Sequence, residues 1–495
     1  MVKSIVTVTF FSIINLVFSF GSQLVVAILF GASAQTDAYF IAITLPILFV
    51  NILGTISITA IVPNFIELRI KSGEASAWRL ASYITALLLL VLLLYAIASI
   101  LFSKNIVQFM APGLTANQLV LANELFVWST PIILLMSFSQ IAISLHHVDE
   151  KFTLPAMSLV LPTLGSVLGA LALNSKIGIH SLLIGQMFGA LLQAVILAWY
   201  LVRPDRLWLR FNESVTGLGG VANMSLPLAF GGMLYLSIPI IERFFASNLQ
   251  IGTISHLSMS SRLGNLIPPL LASGLAATLL PRIAKQIANS NLEGALKTFS
   301  LTLRLFVIIS IPIVLFSPLY ALPLTRLLFE RGAFTFEDSK AVAGFLPIYL
   351  VALTAGAFGS LIGNCFYSLF KDTLTLSINS FIHMGVYIIT AAFLTQLFGP
   401  TGLAAAYAIF WISSVGVATL LLRRRINQQG GYTLMVTILR SITAAILTYS
   451  ILKIFLQDIE SIWIQIVFVM IGFCLYVALC WKIFRETIFN LILNR

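Results

Sequence analysis

The sequence predicts an all-α polytopic membrane protein, and three observations support this fold class. The 495 residues are 59% hydrophobic and only 9% charged, whereas an ordinary soluble domain has about 25% charged residues. The mean hydropathy is +1.03, and a globular protein of this size would not bury so much apolar surface. The apolar runs reach about 20 residues or more, which suits spanning helices and is too long for barrel strands.

Fourteen membrane-spanning helices are predicted. The first six cover about 4–30, 38–66, 77–102, 119–145, 153–173 and 178–202. The next six cover about 221–246, 254–281, 298–321, 341–368, 373–396 and 401–422, and the last two cover about 433–456 and 461–481. No cleaved signal peptide is expected, because the first apolar run is too long for one and thirteen further spans follow it.

The distribution of basic residues predicts the orientation. An even number of spans places both termini on one side, and the loops of that side hold 20 of the 28 Lys and Arg residues. The opposite loops hold 6, and 2 lie within spans. By the positive-inside rule both termini are cytoplasmic. The net charge of +11 therefore needs no nucleic-acid partner.

The chain contains an internal repeat. Three pairs of landmarks recur in order, at offsets of 218, 220 and 221 residues: Ile61-Val62-Pro63 with Leu279-Leu280-Pro281, Lys151 with Lys371, and Gly178 with Gly399. Spans 1–6 therefore duplicate as spans 7–12 in the same orientation. We expect an N-terminal lobe at 1–215, a C-terminal lobe at 216–430 and an appended helix pair at 431–495. Parallel repeats are typical of transporters that bind cargo between their lobes near the midplane.

The sequence lacks the patterns of an enzyme. It has no Walker A motif, nucleophile elbow, HExxH motif or zinc-ligand set. Its three cysteines lie in apolar runs and are read as packing residues. We therefore expect no enzymatic activity and no cofactor. An Na⁺ or H⁺ gradient, the membrane potential or the cargo's own gradient would drive any transport.

Arg262 is the clearest charged residue within a predicted span. An arginine at the bilayer centre costs about 2.5–3.5 kcal/mol on insertion scales, so it needs water or a partner. Ser255, Ser258, Arg262 and Asn265 form one polar stripe at helical spacing. The guanidinium is a candidate phosphate ligand in a central cavity. The alternative is a structural ion pair between helices.

Further polar groups lie in spans 1, 2 and 7. Asn15, Ser19 and Ser22 share one face of the first span, Gln23 lies beside them, and Asn51 lies in the second. These side chains are candidate ligands for sugars, and ordinary packing between helices is the alternative. Glu242 and Arg243, near the outer end of the seventh span, form a candidate gate or ion site, or an internal structural pair.

Five segments carry a family pattern. They are residues 29–40 (Leu29-Phe30-Gly31 to Asp37-Ala38-Tyr39-Phe40) with Leu45-Pro46, residues 60–63, Ser261-Arg262-Leu263 with Leu280-Pro281, residues 328–335, and Phe366-Tyr367-Ser368. Together they resemble the MurJ/MviN lipid II flippase family of the MOP exporter superfamily. The resemblance implies a two-lobed protein of the bacterial inner membrane. Such a protein moves a polyprenyl-pyrophosphate-linked saccharide outward by alternating access, with the lipid tail along spans 13 and 14.

The resemblance also assigns site residues. Asp37 matches the family's acidic residue after the first span, and Arg262 matches its arginine in the eighth. The family has further arginines in spans 1 and 2, where this chain has Leu16, Ser22 and Asn51. Gln23 replaces an acidic partner. We expect Arg262 to bind the pyrophosphate, and Asp37 and Arg331 to form part of an outer gate.

The loss of cations favours an uncharged glycan. The leading hypothesis is therefore a flippase for a polyprenyl-pyrophosphate-linked oligosaccharide, a precursor of a cell-envelope polysaccharide. One alternative is a lipid II flippase for peptidoglycan synthesis. Two others are a MATE-like antiporter, against which the appended helices argue, and a non-transporting membrane scaffold. The expected partners are the lipid-linked saccharide and the lipid bilayer, and the expected state is a monomer.

Overall fold

Long helices form nearly all of the structure. The computed structural model describes residues 2–202, 206, 218–221, 225, 233, 236–370, 374–426, 430–456, 459, 461–481 and 485. Within these residues there is no β-strand. The predicted lobe boundary at 215, most of the seventh span and Lys371 lie outside the described residues.

Twelve helical segments of the described chain are long and apolar enough to cross a membrane. One of them, Ile378–Arg424, contains the predicted eleventh and twelfth spans in succession. Gly399, with φ 58° and ψ −136°, interrupts it just before Pro400. Each predicted span apart from the seventh corresponds to one of these segments, so the predicted all-α membrane fold is confirmed.

The first of two compact units comprises Met1–Ser255 and Arg331–Phe334. Its helices pack chiefly as the pairs α8 with α9 and α2 with α6. A π-helical segment, Ser57–Ile61, joins α2 to α3, so the second predicted span continues to Ser72. The helices are α1 Val2–Phe30, α2 Ala34–Ile56, α3 Val62–Ser72, α4 Glu74–Leu101, α5 Ser103–Met110, α6 Ala116–Val148, α7 Thr153–Ser158, α8 Val160–Ile177, α9 His180–Leu201 and α10 Ile238–Ala246.

The second unit comprises His256–Glu330 and Thr335–Arg495. The appended helices belong to it, since the Tyr476 hydroxyl of α18 donates to the Ile308 carbonyl of α13 at 2.9 Å. Here α11, which starts in the first unit, is followed by seven further helices. They are α11 Thr253–Gly264, α12 Pro268–Ala288, α13 Leu292–Leu315, α14 Ser317–Phe329, α15 Phe336–Phe370, α16 Leu374–Ile426, α17 Gly430–Leu456 and α18 Ile462–Leu479.

The two repeats share local geometry. Gly178 has φ 55° and ψ −138°, close to the values of Gly399, 221 residues later. Both conformations are accessible essentially only to glycine. The helix caps correspond as well. Thr115 exchanges hydrogen bonds with Gln118 at the start of α6, and Thr335 does so with Asp338 at the start of α15. The duplication is therefore visible in the backbone.

The glycine spacings in spans 5 and 6 produce close packing, as the sequence predicts. A Cβ on Gly185 of α9 would overlap the carbonyl oxygen of Gly165 in α8. A Cβ on Gly189 would likewise overlap the carbonyl oxygen of Leu161. The backbones of α8 and α9 therefore touch without intervening side chains, which fixes this helix pair.

Candidate functional site

The eighth predicted span is broken in its middle, next to Arg262. The helix α11 ends at Gly264, and α12 begins at Pro268. Arg262 lies in the last turn of α11 and is half-buried, where the negative end of the helix dipole favours a cation. Ser258 is buried one turn earlier, and Asn265 is exposed in the break. Discontinuous helices form the substrate sites of many transporters.

Asp37 is buried and fully engaged by another helix terminus. The residue is 3% exposed and lies in the first turn of α2. Its carboxylate accepts hydrogen bonds from the Gly252 N–H at 2.6 Å, the Ser255 N–H at 2.8 Å and the Ser255 hydroxyl at 2.6 Å. These donors surround the N-terminus of α11, whose dipole favours a carboxylate. Ser255, the first member of the predicted polar stripe, therefore binds Asp37.

Two further contacts join the predicted outer ends of the repeats within the first unit. The Ala333 N–H donates to the Ile28 carbonyl at 2.8 Å, and the Gly113 N–H donates to the Ser247 hydroxyl at 3.1 Å. The spacing from Ile28 to Ser247 is 219 residues, as is the spacing from Gly113 to Gly332, the neighbour of Ala333. The two contacts are therefore equivalent under the repeat.

Glycines make the first of these contacts possible. Gly31 and Gly332 both have φ +61°, a conformation that side chains disfavour. A Cβ on Gly31 would lie 2.5 Å from the Ala333 carbonyl oxygen, and one on Gly332 would overlap the Ile28 carbonyl oxygen. The segment Arg331–Phe334 thus docks on the end of α1. Arg331, a predicted gate residue, is exposed in this segment.

The Glu242 and Arg243 side chains form a buried ion pair. The Arg243 Nη1 donates to the Glu242 Oε1 at 2.8 Å, and each side chain is 9% exposed. Both residues belong to α10, which packs against α2 and α5. Within the described structure no acceptor lies in reach of the Arg243 Nε–H. A buried cation with an unused donor is a costly arrangement, which keeps the pair a candidate for gating or ion coupling.

The polar residues of α1 and α2 differ in exposure. Ser22 and Gln23 are buried, Asn15 and Ser19 are half-buried, and Asn51 is exposed. No described donor reaches the buried Gln23 Oε1. Leu16, where the resemblance expects an arginine, is 40% exposed. These residues belong to the first unit and Arg262 to the second, so a shared cavity stays a prediction.

A cluster of charges lies at the predicted cytoplasmic side of the first unit. The Asp149 carboxylate accepts hydrogen bonds from Arg206 at 2.7 Å, Tyr200 at 3.0 Å and Arg69 at 3.4 Å. Burial disfavours the charged form of Arg206, but the hydrogen bond and charge of Asp149 outweigh it and raise the pKa of the guanidinium. The Lys151 ammonium lies 3.5 Å from the centre of the Tyr200 ring. Asp149 therefore organises this end of α3, α6 and α9.

Sequence reasoning missed the partners of Asp37 and the docking residues Ile28, Gly113, Ser247 and Gly332. The signal was present, because Gly113 and Gly332 are equivalent under the repeat offset and each follows a short outer helix. In the described part of the chain, no three His, Cys, Asp or Glu residues group as a metal site.

Comparisons with known proteins place the chain in a family. A family model described as "Lipid II flippase MurJ" matches residues 26–474. A probable lipid II flippase MurJ of Buchnera aphidicola (subspecies Acyrthosiphon pisum) is 26% identical over 427 residues, 84% of this chain and 80% of the relative. Another, from Vibrio cholerae, is 26% identical over 453 residues, 88% of this chain and 84% of the relative.

Solved structures share the fold. A lipid II flippase MurJ in an inward closed conformation superposes with a TM-score of 0.82 at 22% identity, covering 98% of this chain and all of that one (100%). An inward-facing MATE transporter of the MOP superfamily gives 0.71 at 15% identity, covering 86% and 98%. Since the family model covers most of the chain, this multi-pass inner-membrane protein belongs to the MurJ family of lipid II flippases.

Proposed function

We propose that this protein is a flippase that carries lipid II from the cytoplasmic to the outer leaflet of the inner membrane. The curated relatives are described as lipid II flippases, which supports this cargo over the polysaccharide precursor that leads the sequence-based hypotheses. The observation that carries the proposal is Arg262 beside the break in the eighth span. Transport without enzymatic chemistry fits a sequence with no catalytic motif.

In the proposed cycle, the two repeats rock so that the cargo site opens alternately to each side. Arg262 binds the pyrophosphate, because a guanidinium offers several N–H donors to phosphate oxygens. Asn15, Ser19, Ser22, Gln23 and Asn51 supply hydrogen bonds to the sugars, with Ser258 and Asn265 beside the arginine. The polyprenyl tail stays in lipid along α17 and α18. One copy of the chain suffices for this cycle, with both termini in the cytoplasm.

The outer contacts supply the proposed gate. While Asp37 holds the N-terminus of α11 and Ala333 is bonded to Ile28, the outer ends of the repeats stay together. Release of cargo to the outer side requires these contacts to separate. A few hydrogen bonds, each worth about 0.5–3 kcal/mol, hold a gate firmly enough to close and weakly enough to open.

Complementation tests the cargo. Bacteria depleted of their own lipid II flippase would express this chain, with membrane levels confirmed by immunoblot. Rescue that is lost in Arg262→Ala, retained in part by Arg262→Lys and unaffected by Arg423→Ala would support the proposal. Arg423 is an exposed arginine near the end of α16, so it controls for loss of charge alone. Failure of the unaltered protein to rescue, at normal membrane levels, would contradict it.

A second candidate cargo is another polyprenyl-pyrophosphate-linked oligosaccharide. The specific observation in its favour is the absence of cations at Leu16, Ser22 and Asn51, since the lipid II peptide carries carboxylates that cations would attract. Mass spectrometry of lipids that co-purify with the protein separates the two. Lipid II would be recognised by its peptide, and the alternative by a glycan without one.

A further inference from the structure

His383 is a buried histidine on a polar stripe within the membrane-spanning part of α16. The stripe consists of Asn379, His383 and Tyr387, which follow one another at four-residue spacing and are all buried. His383 itself is 5% exposed. The neighbouring large apolar side chains Phe381 and Ile382 are exposed and suit contact with lipid. The helix thus turns its polar face to the protein interior and its apolar face outward.

The hydrogen bond of the imidazole fixes its tautomer. The His383 Nδ1 lies 2.7 Å from the Asn379 carbonyl oxygen, one turn earlier. A carbonyl oxygen only accepts, so Nδ1 carries the hydrogen. In the neutral ring, the lone pair is therefore on Nε2. Any proton that His383 gains binds at Nε2.

Asn379 prepares the surroundings of this ring. Its Nδ2 donates to the carbonyl and hydroxyl oxygens of Ser414 at 3.1 and 3.0 Å, which links the two halves of α16. Asn379 is 6% exposed, and among the described residues its Oδ1 has no donor. An unused acceptor oxygen one turn from His383 favours a positive charge there.

No other group on these helices competes for a proton near neutral pH. Residues 341–370 and 374–422 contain no Asp, Glu, Lys or Arg, and His383 is their single histidine. The titratable side chains near the stripe are tyrosines. The Tyr387 ring lies 6.3 Å from that of Tyr407, and the Tyr407 ring lies 5.6 Å from that of Tyr349 on α15. These hydroxyls keep their protons across the physiological range.

We propose that His383 is the proton-binding group that couples proton movement to transport. The inference rests on the proposed transport function and adds its energy source. A proton from water on one side binds Nε2 to give the imidazolium, and the same proton leaves to water on the other side. A charge buried in the membrane is costly, so the ring exchanges protons where the transport cycle admits water. Asn379 is a positioning residue that holds the ring through its carbonyl.

Solid-state NMR tests proton binding without any cargo. The full chain, labelled with ¹⁵N-histidine, would be placed in lipid nanodiscs and titrated between about pH 8 and pH 5, the range in which histidine changes charge. We expect one signal of the neutral Nδ1–H form to convert to imidazolium. That signal should be absent in His383→Gln and retained in His147→Gln. If the His383 ring stays neutral throughout, the proposal is wrong.

Coupling is tested in proteoliposomes with fluorescent lipid II as the probe. An imposed pH gradient should change the transport rate of the parent protein and of His147→Gln several-fold. His383→Gln should transport lipid II without responding to the gradient. An unchanged response in His383→Gln would overturn the coupling role. If no variant moves lipid II while the NMR titration is seen, the cargo proposal fails and the proton site stands.

A misfolded variant would not leave the question open. His383→Asn offers a second, smaller amide. The NMR signal of His383 can also be assigned in the parent protein by elimination, with single substitutions of the other four histidines, His146, His147, His180 and His256.

Discussion

The carboxylate of Asp37 accepts a 2.8 Å hydrogen bond from the backbone N–H of Ser255, a residue 218 positions later. The same offset separates Ile61-Val62-Pro63 from Leu279-Leu280-Pro281, so Asp37 and Ser255 hold equivalent places in the two repeats. Equivalent residues touch each other only where a two-fold axis passes between them. The contact therefore marks the pseudo-two-fold axis at the outer ends of the second and eighth spans.

The paired docking contacts obey the same symmetry. Gly113 reaches Ser247, and the Gly332-Ala333 segment reaches Ile28, as expected when loop and helix end exchange places under a two-fold rotation. Contacts that come in symmetric sets open together or stay closed together. This arrangement suits a gate with two states.

Loss of the Asp37 charge should loosen the gate. In Asp37→Asn, one acceptor oxygen and the negative charge at the N-terminus of α11 disappear. Hydrogen bonds to a charged group contribute about 1.5–3 kcal/mol each, so we expect the open-to-closed ratio to rise roughly tenfold or more. The readout is labelling of Thr253→Cys, a buried position at the start of α11, by a membrane-impermeant maleimide. The background would lack Cys365, Cys474 and Cys480.

Glu124→Gln is the matched control for this experiment. Glu124 is a half-exposed carboxylate of α6 whose Oε1 lies 3.3 Å from the His180 Nε2. It makes no contact with α11 among its recorded partners, so the labelling rate of Thr253→Cys should not change. Equal labelling in the Asp37→Asn protein and its parent would show that Asp37 does not hold the outer side closed.

The glycines at the gate should tolerate substitution least. In Gly31→Ala and Gly332→Ala, backbone strain at positive φ combines with overlap of a neighbouring carbonyl. In Gly178→Ala there is strain at positive φ but no neighbour within 4 Å; such strain alone costs about 1–3 kcal/mol. In Gly344→Ala neither applies, and alanine should stabilise α15 slightly.

Thermal unfolding of the purified proteins should therefore give a fixed order. The midpoint should be lowest for the two gate glycines, intermediate for Gly178→Ala and at least as high as the parent for Gly344→Ala. A Gly31→Ala protein as stable as the Gly344→Ala protein would mean that Ala333 and the end of α1 do not pack as described.

The periodicity of the sequence was sufficient for the fold and the repeat. Apolar runs locate the spans, and Pro268-Pro269 marks the place where the eighth span breaks. The glycine spacings in spans 5 and 6 predict the contact of α8 with α9. These features are local, because they depend on residues less than about thirty positions apart.

Long-range pairing was beyond the sequence. Helical spacing groups Ser255 with Ser258 and Arg262 on one face, but spacing does not say what each residue contacts. Ser255 proves to bind Asp37, 218 residues away. His383 escaped notice for a related reason, since a histidine in an apolar run shows neither its burial nor its tautomer until the helix is packed.

Restoring a cation at Asn51 tests the choice of cargo. Asn51 is exposed on α2 and stands where the family resemblance expects an arginine. If lipid II is the cargo, Asn51→Arg should improve complementation, because a guanidinium pairs with phosphate or carboxylate oxygens. Asn51→Gln controls for the longer side chain without charge. Growth of the depleted strain at limiting expression is the measurement, and no gain from Asn51→Arg over Asn51→Gln would favour the uncharged glycan.

Asp149 should be a main determinant of stability at the cytoplasmic side. In Asp149→Asn, the partly buried guanidinium of Arg206 loses its anionic partner, and Tyr200 and Arg69 lose an acceptor. Removing one hydrogen-bonded charge of such a pair costs about 2 kcal/mol, so the midpoint of thermal unfolding should fall. Glu67→Gln, which removes an exposed carboxylate paired with Lys71, should leave the midpoint unchanged because exposed pairs contribute little. Equal midpoints for Asp149→Asn and Glu67→Gln would show that the cluster is no more stabilising than an ordinary surface pair.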